Sequence, residues 1–126
     1  MSAKAQVSTR EIVRAYHDAR FRGDVAAAAA TVSDSSFSFR SPFITSADPA
    51  GHLAGLEGLL RVVTEVEMIS ELYGESEATL VYDVHTATPA GVQRTAEHFR
   101  VSDGKIDRIL LIFDAAPWQP MASVIR

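Results

Sequence analysis

The chain has 126 residues, of which 47% are hydrophobic and 22% charged, and its formal net charge is −4 at pH 7. These values are typical of one globular domain over residues 1–126, with a core at about 8–117 and a tail at 118–126. The negative charge and the scattered basic residues exclude a basic surface for nucleic acid. Because cysteine is absent and no apolar run is long enough to span a membrane, we expect a cytoplasmic protein without disulfides or a membrane segment.

The first elements are predicted to be helices. The segment STRE at residues 8–11 matches a capping box, which marks a helix start. Apolar residues then recur at helical spacing, so we expect Tyr16 on the buried face and His17 on the exposed face. Gly23 ends this helix, and the alanine-rich run after Asp24 predicts a short second helix, since alanine is the best helix former.

A short strand and a loop precede the third predicted helix. FSFR at residues 37–40 is typical of a strand, and SPFITSADP at residues 41–49 is typical of a loop. The expected buried face of the third helix consists of Leu53, Leu56, Leu60 and Val63. The glycines of this helix do not match the dinucleotide pattern, so close helix packing explains them better than phosphate binding.

The second half of the chain is predicted to form a sheet. Its strand segments, separated by turn residues, are ISELYGES, ATLVYDVHTAT, VQRTAEHFRVS and KIDRILLIFDA. Strands so close in sequence pair as an antiparallel meander. Helices followed by a sheet indicate an α+β fold and exclude a doubly wound nucleotide-binding fold. We expect Trp118, in the tail, to pack as a lid or against a partner chain.

The strand TAEHFRVS carries a carboxylate where an apolar side chain is expected. Side chains alternate between the faces of a strand, so Glu97 shares the apolar face with Thr95 and Phe99. A carboxylate aimed at a core costs several kcal/mol unless it is paired or protonated. Glu97 therefore needs a partner or a proton.

Three features in this order resemble those of ketosteroid isomerase and the wider NTF2-like or SnoaL-like group. The first is Tyr16 on a helix, followed seven residues later by Gly23-Asp24. The second is the short strand FSFR before the proline-containing loop, and the third is the segment EHFR at residues 97–100 before a Gly-Lys turn. The resemblance implies an α+β, cystatin-like, cone-shaped barrel in which N-terminal helices pack on a strongly curved, mostly antiparallel sheet. It also implies a deep apolar pocket, and homodimers are common in the group.

The resemblance assigns roles to individual residues. Tyr16 and a protonated Glu97 would form an oxyanion-stabilising pair, with the glutamate hydrogen-bonded to Tyr16 or to a ligand oxygen. Two acid–base positions of the group are replaced here, one by Arg40 or Ser41 and the other by Leu111. The predicted substrate-binding residues are Arg40, Ser41, Phe43, Leu56, Phe99, Leu111 and Phe113.

A general base could come instead from Asp83 or His85, which share one face of their strand. A three-residue turn with a bulge would place Asp83 opposite Glu97, and a two-residue turn would place Val84 there. The sequence leaves open whether Asp83 and His85 face the pocket or an outer dimer interface.

Two functions follow as hypotheses. The first is an enzyme of isomerase- or cyclase-like proton-transfer chemistry that acts on a small, apolar, carbonyl-bearing molecule through Tyr16, Glu97 and Asp83 or His85. The alternative is a non-catalytic ligand-binding or dimerisation module that lacks a general base. The histidines show no metal-ligand spacing, so we expect neither a metal nor a cofactor.

Overall fold

The structure is a computed structural model that describes residues 8–121 and the side chains of residues 8–118. Its helices are α1 (Thr9–Phe21), α2 (Val25–Ala29) and α3 (Pro49–Leu60), and a 3₁₀-helix follows over Ala116–Met121. Its strands are β1 (Ser38–Arg40), β2 (Thr45–Ser46), β3 (Val63–Tyr73), β4 (Glu77–Thr86), β5 (Val92–Ser102) and β6 (Lys105–Ile112). Trp118, predicted to lie in a tail, is buried; the last residues of that tail, 122–126, lie outside the described residues.

The predicted capping box starts α1. The Glu11 amide donates to Ser8 Oγ at 3.1 Å, and the Ser8 amide donates to Glu11 Oε1 at 3.2 Å. Tyr16 lies on the buried face as predicted, but the expected exposure of His17 is wrong, since that side chain is also buried. The reason is that the His17 ring packs edge-on against Tyr82 of β4, with centroids 5.0 Å apart.

The described strands form one curved sheet in the order β2-β1-β6-β5-β4-β3. β1 runs parallel to β6 and the other neighbours are antiparallel, so the sheet is mixed and, with β2 and β3 at its edges, unclosed. The α+β class and the mostly antiparallel sheet are confirmed. β2 lies in the segment predicted as a loop, and it forms because Thr45 and Ser46 pair with β1.

The register between β4 and β5 differs from both predicted alternatives. Leu80, and neither Asp83 nor Val84, lies opposite Glu97. The cause is a longer turn over residues 87–91, closed by a hydrogen bond of 3.0 Å from the Thr86 amide to the Gly91 carbonyl. Gly91 has a φ of 65°, a left-handed conformation that glycine adopts without strain.

The sheet has an inner face, which the helices cover, and an outer face. Tyr82 and Val84 of β4 and Glu97 of β5 are buried on the inner face. α3 closes over part of this face and ends at Leu60. The prediction that Val63 lies on the buried face of this helix is wrong, because Val63 is the first residue of β3. The inner face and α3 together enclose the space described next.

Candidate functional site

A largely apolar cavity of about 390 Å³ lies between α3 and the inner face of the sheet. Aromatic and aliphatic side chains make up most of its wall, among them Phe21, Phe39, Phe43, Leu56, Phe113 and Trp118. Deep apolar cavities with a few placed polar groups are the usual form of a small-molecule site. The chemistry of this cavity therefore depends on the polar groups that reach it.

Five of the predicted substrate-binding residues border the cavity: Ser41, Phe43, Leu56, Leu111 and Phe113. The other two do not. Arg40 is exposed, because alternation along β1 turns Phe39 inward and Arg40 outward. Phe99 is fully buried in the core, where its ring packs edge-on against Tyr16 with centroids 5.8 Å apart. Roles in binding stay predictions for all seven.

Glu97 is fully buried and forms an ion pair with Arg20. Arg20 Nη1 donates to Glu97 Oε2 at 2.8 Å and Nη2 donates to Oε1 at 2.5 Å, while the Tyr82 hydroxyl donates to Oε1 at 2.6 Å. Burial alone raises the pKa of Glu97, but the Arg20 charge and these hydrogen bonds outweigh it and hold the pKa below its ordinary value. The expectation of a protonated Glu97 is therefore wrong for this geometry.

Arg20 is the partner that the sequence reading missed. Only 3% of the residue is exposed, and the guanidinium also lies over the Tyr16 ring, 4.6 Å from its centroid. Its Nη2 contacts His17 Nδ1 at 2.9 Å. A signal was present, because Arg20 follows Tyr16 by one helical turn and so belongs to the buried face of α1.

Tyr16 contacts His52 of α3 and not Glu97. The Tyr16 hydroxyl oxygen and His52 Nε2 are 2.7 Å apart. Tyr16 itself is fully buried and does not border the cavity, whereas His52 does. The His52 ring also packs against Phe39, with centroids 4.3 Å apart. His52 therefore separates Tyr16 from the cavity.

The hydrogen bond between Tyr16 and His52 fixes the imidazole tautomer. Among residues 8–118, the other side chain that hydrogen-bonds the Tyr16 hydroxyl is Arg20, which can only donate, so within this set the hydroxyl proton finds its acceptor at His52 Nε2. Nδ1 then carries the ring proton. Burial, the largest cause, lowers the pKa of His52 to about 4. His52 is consequently a neutral hydrogen-bond donor beside the cavity at pH 7.

His52 was overlooked because the sequence has no metal or catalytic motif around it. Its position nevertheless carried a signal, since it precedes Leu56 by one turn of a helix whose buried face includes Leu56. The neighbouring glycines are also explained by the cavity. Gly51 and Gly55 border it, and a Cβ atom added to Gly55 would meet no other atom within 4 Å. Close helix packing, the expected reason for these glycines, does not apply at Gly55.

Asp83 and His85 point away from the cavity, to the outer face. Arg94 donates to both Asp83 oxygens at 2.9 Å, and these hydrogen bonds hold the pKa of Asp83 below its ordinary value. His85 Nε2 lies 3.7 Å from Glu67 on the neighbouring strand. In this geometry neither side chain is placed to move a proton of a molecule in the cavity.

In the part of the chain that the structure describes, no three His, Asp or Glu side chains gather closely enough to hold a metal ion. None of the helices among residues 8–121 is long and apolar enough to cross a membrane.

The chain is similar to known proteins in its structure, and the searches by sequence found no match. No protein-family model and no curated protein matches the chain. A protein from Kribbella flavida is 26% identical, covering 89% of this chain and 91% of its own, with a TM-score of 0.80.

Two further structures have lower identity. An NTF2-like protein of unknown function from Cytophaga hutchinsonii is 17% identical, covering 93% of this chain and 97% of its own, with a TM-score of 0.73. A steroid delta-isomerase from Pseudomonas aeruginosa is 15% identical, covering 90% of this chain and 85% of its own, with a TM-score of 0.73. These matches confirm the fold that the resemblance implied: the chain has the NTF2-like fold.

Proposed function

We propose that the chain binds a small, mainly apolar molecule whose carbonyl oxygen accepts a hydrogen bond from His52 Nδ1. The observation that carries this proposal is a neutral imidazole donor, held by Tyr16, at the wall of an apolar cavity of about 390 Å³. A donor in such surroundings favours a ligand that brings an acceptor, since water is a poor competitor in an apolar site.

The charge balance of the cavity favours a neutral ligand. Arg20 and Glu97 are the only charged residues of the described chain that border the cavity, and they neutralise each other. All of the short contacts to the Glu97 carboxylate come from Arg20 and Tyr82. A charged ligand would lose its hydration without gaining a free counterion.

Isomerase- or cyclase-like chemistry is a second candidate. The fold is shared with a steroid delta-isomerase, and a neutral imidazole N–H can stabilise an enolate oxygen as negative charge develops. The pairing of Tyr16 with a protonated Glu97 is not proposed, because Glu97 has no proton to donate. Tyr16 would act through His52. Among residues 8–118, the element missing for this chemistry is a general base, since Asp83 and His85 lie on the outer face.

The binding proposal can be tested by calorimetric titration with 2-tetralone and tetralin, which differ by one carbonyl oxygen. We expect 2-tetralone to bind about fivefold more tightly, the equivalent of one ordinary hydrogen bond. The His52→Phe variant should lose this preference while keeping its affinity for tetralin. Failure of the unaltered chain to bind either molecule would refute the proposal.

A cavity-filling variant and its control locate the binding site. Gly55→Leu places a side chain in the open space beside Gly55, so it should abolish binding of both molecules. Ala54→Leu introduces the same side chain at an exposed position one residue away and should bind normally. Binding that survives Gly55→Leu would place the ligand elsewhere.

The catalytic candidate is tested separately by exchange of the α-hydrogens of 2-tetralone for deuterium in heavy water, followed by NMR. An enzyme should accelerate this exchange above the buffer rate, and His52→Phe should reduce the enzymatic rate by about two to three orders of magnitude, the effect of removing one oxyanion donor. Exchange at the buffer rate alone, together with tight binding, would leave ligand binding as the function.

A homodimer and a cytoplasmic location stay predictions. The homodimer is supported by apolar side chains on the outer face: Leu72, Leu110 and Ile112 are exposed there, and cross-strand pairing aligns Val81, Ala96 and Ile112 in one row. Sedimentation or light scattering across a concentration series would test for a dimer. A monomer at every concentration would refute it.

A further inference from the structure

A second polar group borders the cavity away from His52. Gln93 lies on the inner face of β5, is 8% exposed, and pairs with Val84 of β4. It precedes Glu97 by four residues on the same strand, a separation of about 13 Å between Cα atoms. Gln93 therefore marks one end of the cavity wall and Glu97 the other.

His52 belongs to the Glu97 end. Its ring packs on Phe39, which pairs with Ile109, and Ile109 pairs in turn with Phe99 of β5. Phe99 lies two residues beyond Glu97, on the side away from Gln93. A molecule that reaches His52 with one end thus directs its other end toward Gln93.

The carboxamide of Gln93 is oriented by the turn between β4 and β5. Its Nε2 donates to the Ala90 carbonyl at 3.2 Å and approaches the Val92 carbonyl at 3.4 Å. Oε1 accepts no hydrogen bond from residues 8–118, and it is not among the atoms sealed away from solvent. With the nitrogen held by the backbone, Oε1 is the group left to meet a ligand.

We propose that Gln93 Oε1 forms a second polar subsite, which accepts a hydrogen bond from a hydroxyl or N–H group at the end of the ligand opposite its carbonyl oxygen. This inference rests on the proposed function. The ligand class then becomes narrower: a neutral, elongated, apolar molecule with an acceptor at one end and a donor at the other. A ligand with two acceptors would place an oxygen against Oε1 and lose affinity.

The test compares 2-tetralone with its 6-hydroxy and 6-methoxy derivatives by calorimetry. The 6-hydroxyl is at the far end of the ring system from the carbonyl and can donate, whereas the methoxy group cannot. We expect the hydroxyl to improve binding by about fivefold and the methoxy group to give no gain. Because this comparison uses the unaltered chain, it does not depend on the folding of any variant.

The Gln93→Met variant assigns the effect to one side chain. It keeps a long unbranched side chain without the amide, so we expect the affinity ratio of the 6-hydroxy compound to 2-tetralone to fall from about five to about one. If the 6-hydroxyl still improves binding in Gln93→Met, the subsite is refuted. The subsite is also refuted, and the proposed function is not, if the unaltered chain binds 2-tetralone but the 6-hydroxyl does not improve its affinity. If neither molecule binds, the proposed function fails and the subsite with it.

A purely structural role for Gln93 predicts a different pattern. If the amide only supports the turn through the Ala90 and Val92 carbonyls, Gln93→Met should lower the melting temperature and weaken all three ligands by the same factor. Selective loss of affinity for the 6-hydroxy compound is the result that this role would not produce.

Discussion

Replacement of Arg20 by methionine tests the interpretation of Glu97 as an ionised partner. In this structure the pair is fully desolvated, with 4% of the Arg20 side chain and 0% of the Glu97 side chain exposed. Removing one partner of such a pair leaves an uncompensated charge in the core. The expected loss of unfolding free energy is about 3–5 kcal/mol, a large part of the roughly 5–15 kcal/mol that keeps a domain folded.

The Glu97→Gln variant distinguishes an ionised Glu97 from the protonated Glu97 that the sequence led us to expect. If Glu97 were protonated, glutamine would preserve its shape and most hydrogen bonds, and the loss would be small. With an ionised Glu97, glutamine leaves the Arg20 charge without a counterion, and the loss should again be about 3–5 kcal/mol. Glu97→Gln and Arg20→Met are therefore expected to be similarly damaging.

The double variant Arg20→Met, Glu97→Met completes the cycle. Apolar replacement of both partners removes the desolvation penalty together with the attraction, so the double variant should be more stable than either Arg20→Met or Glu97→Met. Urea unfolding followed by circular dichroism measures all four proteins. A double variant whose loss equals the sum of the two single losses would show that Arg20 and Glu97 do not interact.

The ion pair between Asp83 and Arg94 is the internal control for this cycle. It joins β4 to β5, as the hydrogen bond between Tyr82 and Glu97 does. Arg94 donates two hydrogen bonds to the Asp83 carboxylate. Arg94, however, has 69% of its side chain exposed to solvent and salt. The same cycle on Asp83 and Arg94 should give a much smaller coupling that decreases further in high salt.

Three further predictions concern separate features. Burial lowers the pKa of His52 to about 4 in the folded chain. As the pH falls below about 6.5, the unfolded chain therefore binds a proton at this histidine before the folded chain does, and the free energy of unfolding decreases. Urea unfolding should show that the decrease between pH 7 and pH 5 is about 2 kcal/mol larger in the unaltered chain than in His52→Phe. Gly55→Leu should raise the melting temperature, since leucine is favoured over glycine in a helix by up to about 1 kcal/mol and its side chain enters open space; a lower melting temperature would mean that the cavity cannot admit it. Ile112→Lys should shift any dimer to monomer in light scattering without changing ligand affinity, because Ile112 is exposed on the outer face; an unchanged dimer would exclude that face as the interface.

Local sequence patterns predicted most of the fold. The capping box at Ser8 and Glu11 and the alternation in β5 depend on residues close in sequence, and both are present in the structure. The turn between β4 and β5 was not predictable in the same way. Pro89-Ala90-Gly91 favoured a short turn, whereas residues 87–91 form a longer one, and this difference changes which residue faces Glu97.

The candidate site was less predictable because its contacts join distant residues. Arg20 and Glu97 are 77 residues apart, and Tyr16 and His52 are 36 apart. An arginine on an otherwise apolar helix face usually extends its charge to solvent, so the position of Arg20 on the buried face of α1 indicated burial of its aliphatic stem but not of its guanidinium. The burial of Arg20 becomes understandable only once Glu97 and Tyr82 are known to lie opposite it.

The identity of the Glu97 partner determines what the cavity can do. A protonated carboxyl beside Tyr16 would place two donors on one ligand oxygen. In this structure, however, the Glu97 carboxylate is paired with Arg20, and Tyr16 lies behind His52. In the proposed function His52 Nδ1 then takes the place of that pair as the donor to the ligand oxygen, and its strength depends on the hydrogen bond from Tyr16. A single neutral donor suffices to orient a carbonyl ligand, but stabilising an enolate without a nearby base gives little acceleration. In the proposed function, the buried ion pair is therefore the feature that favours ligand binding over catalysis.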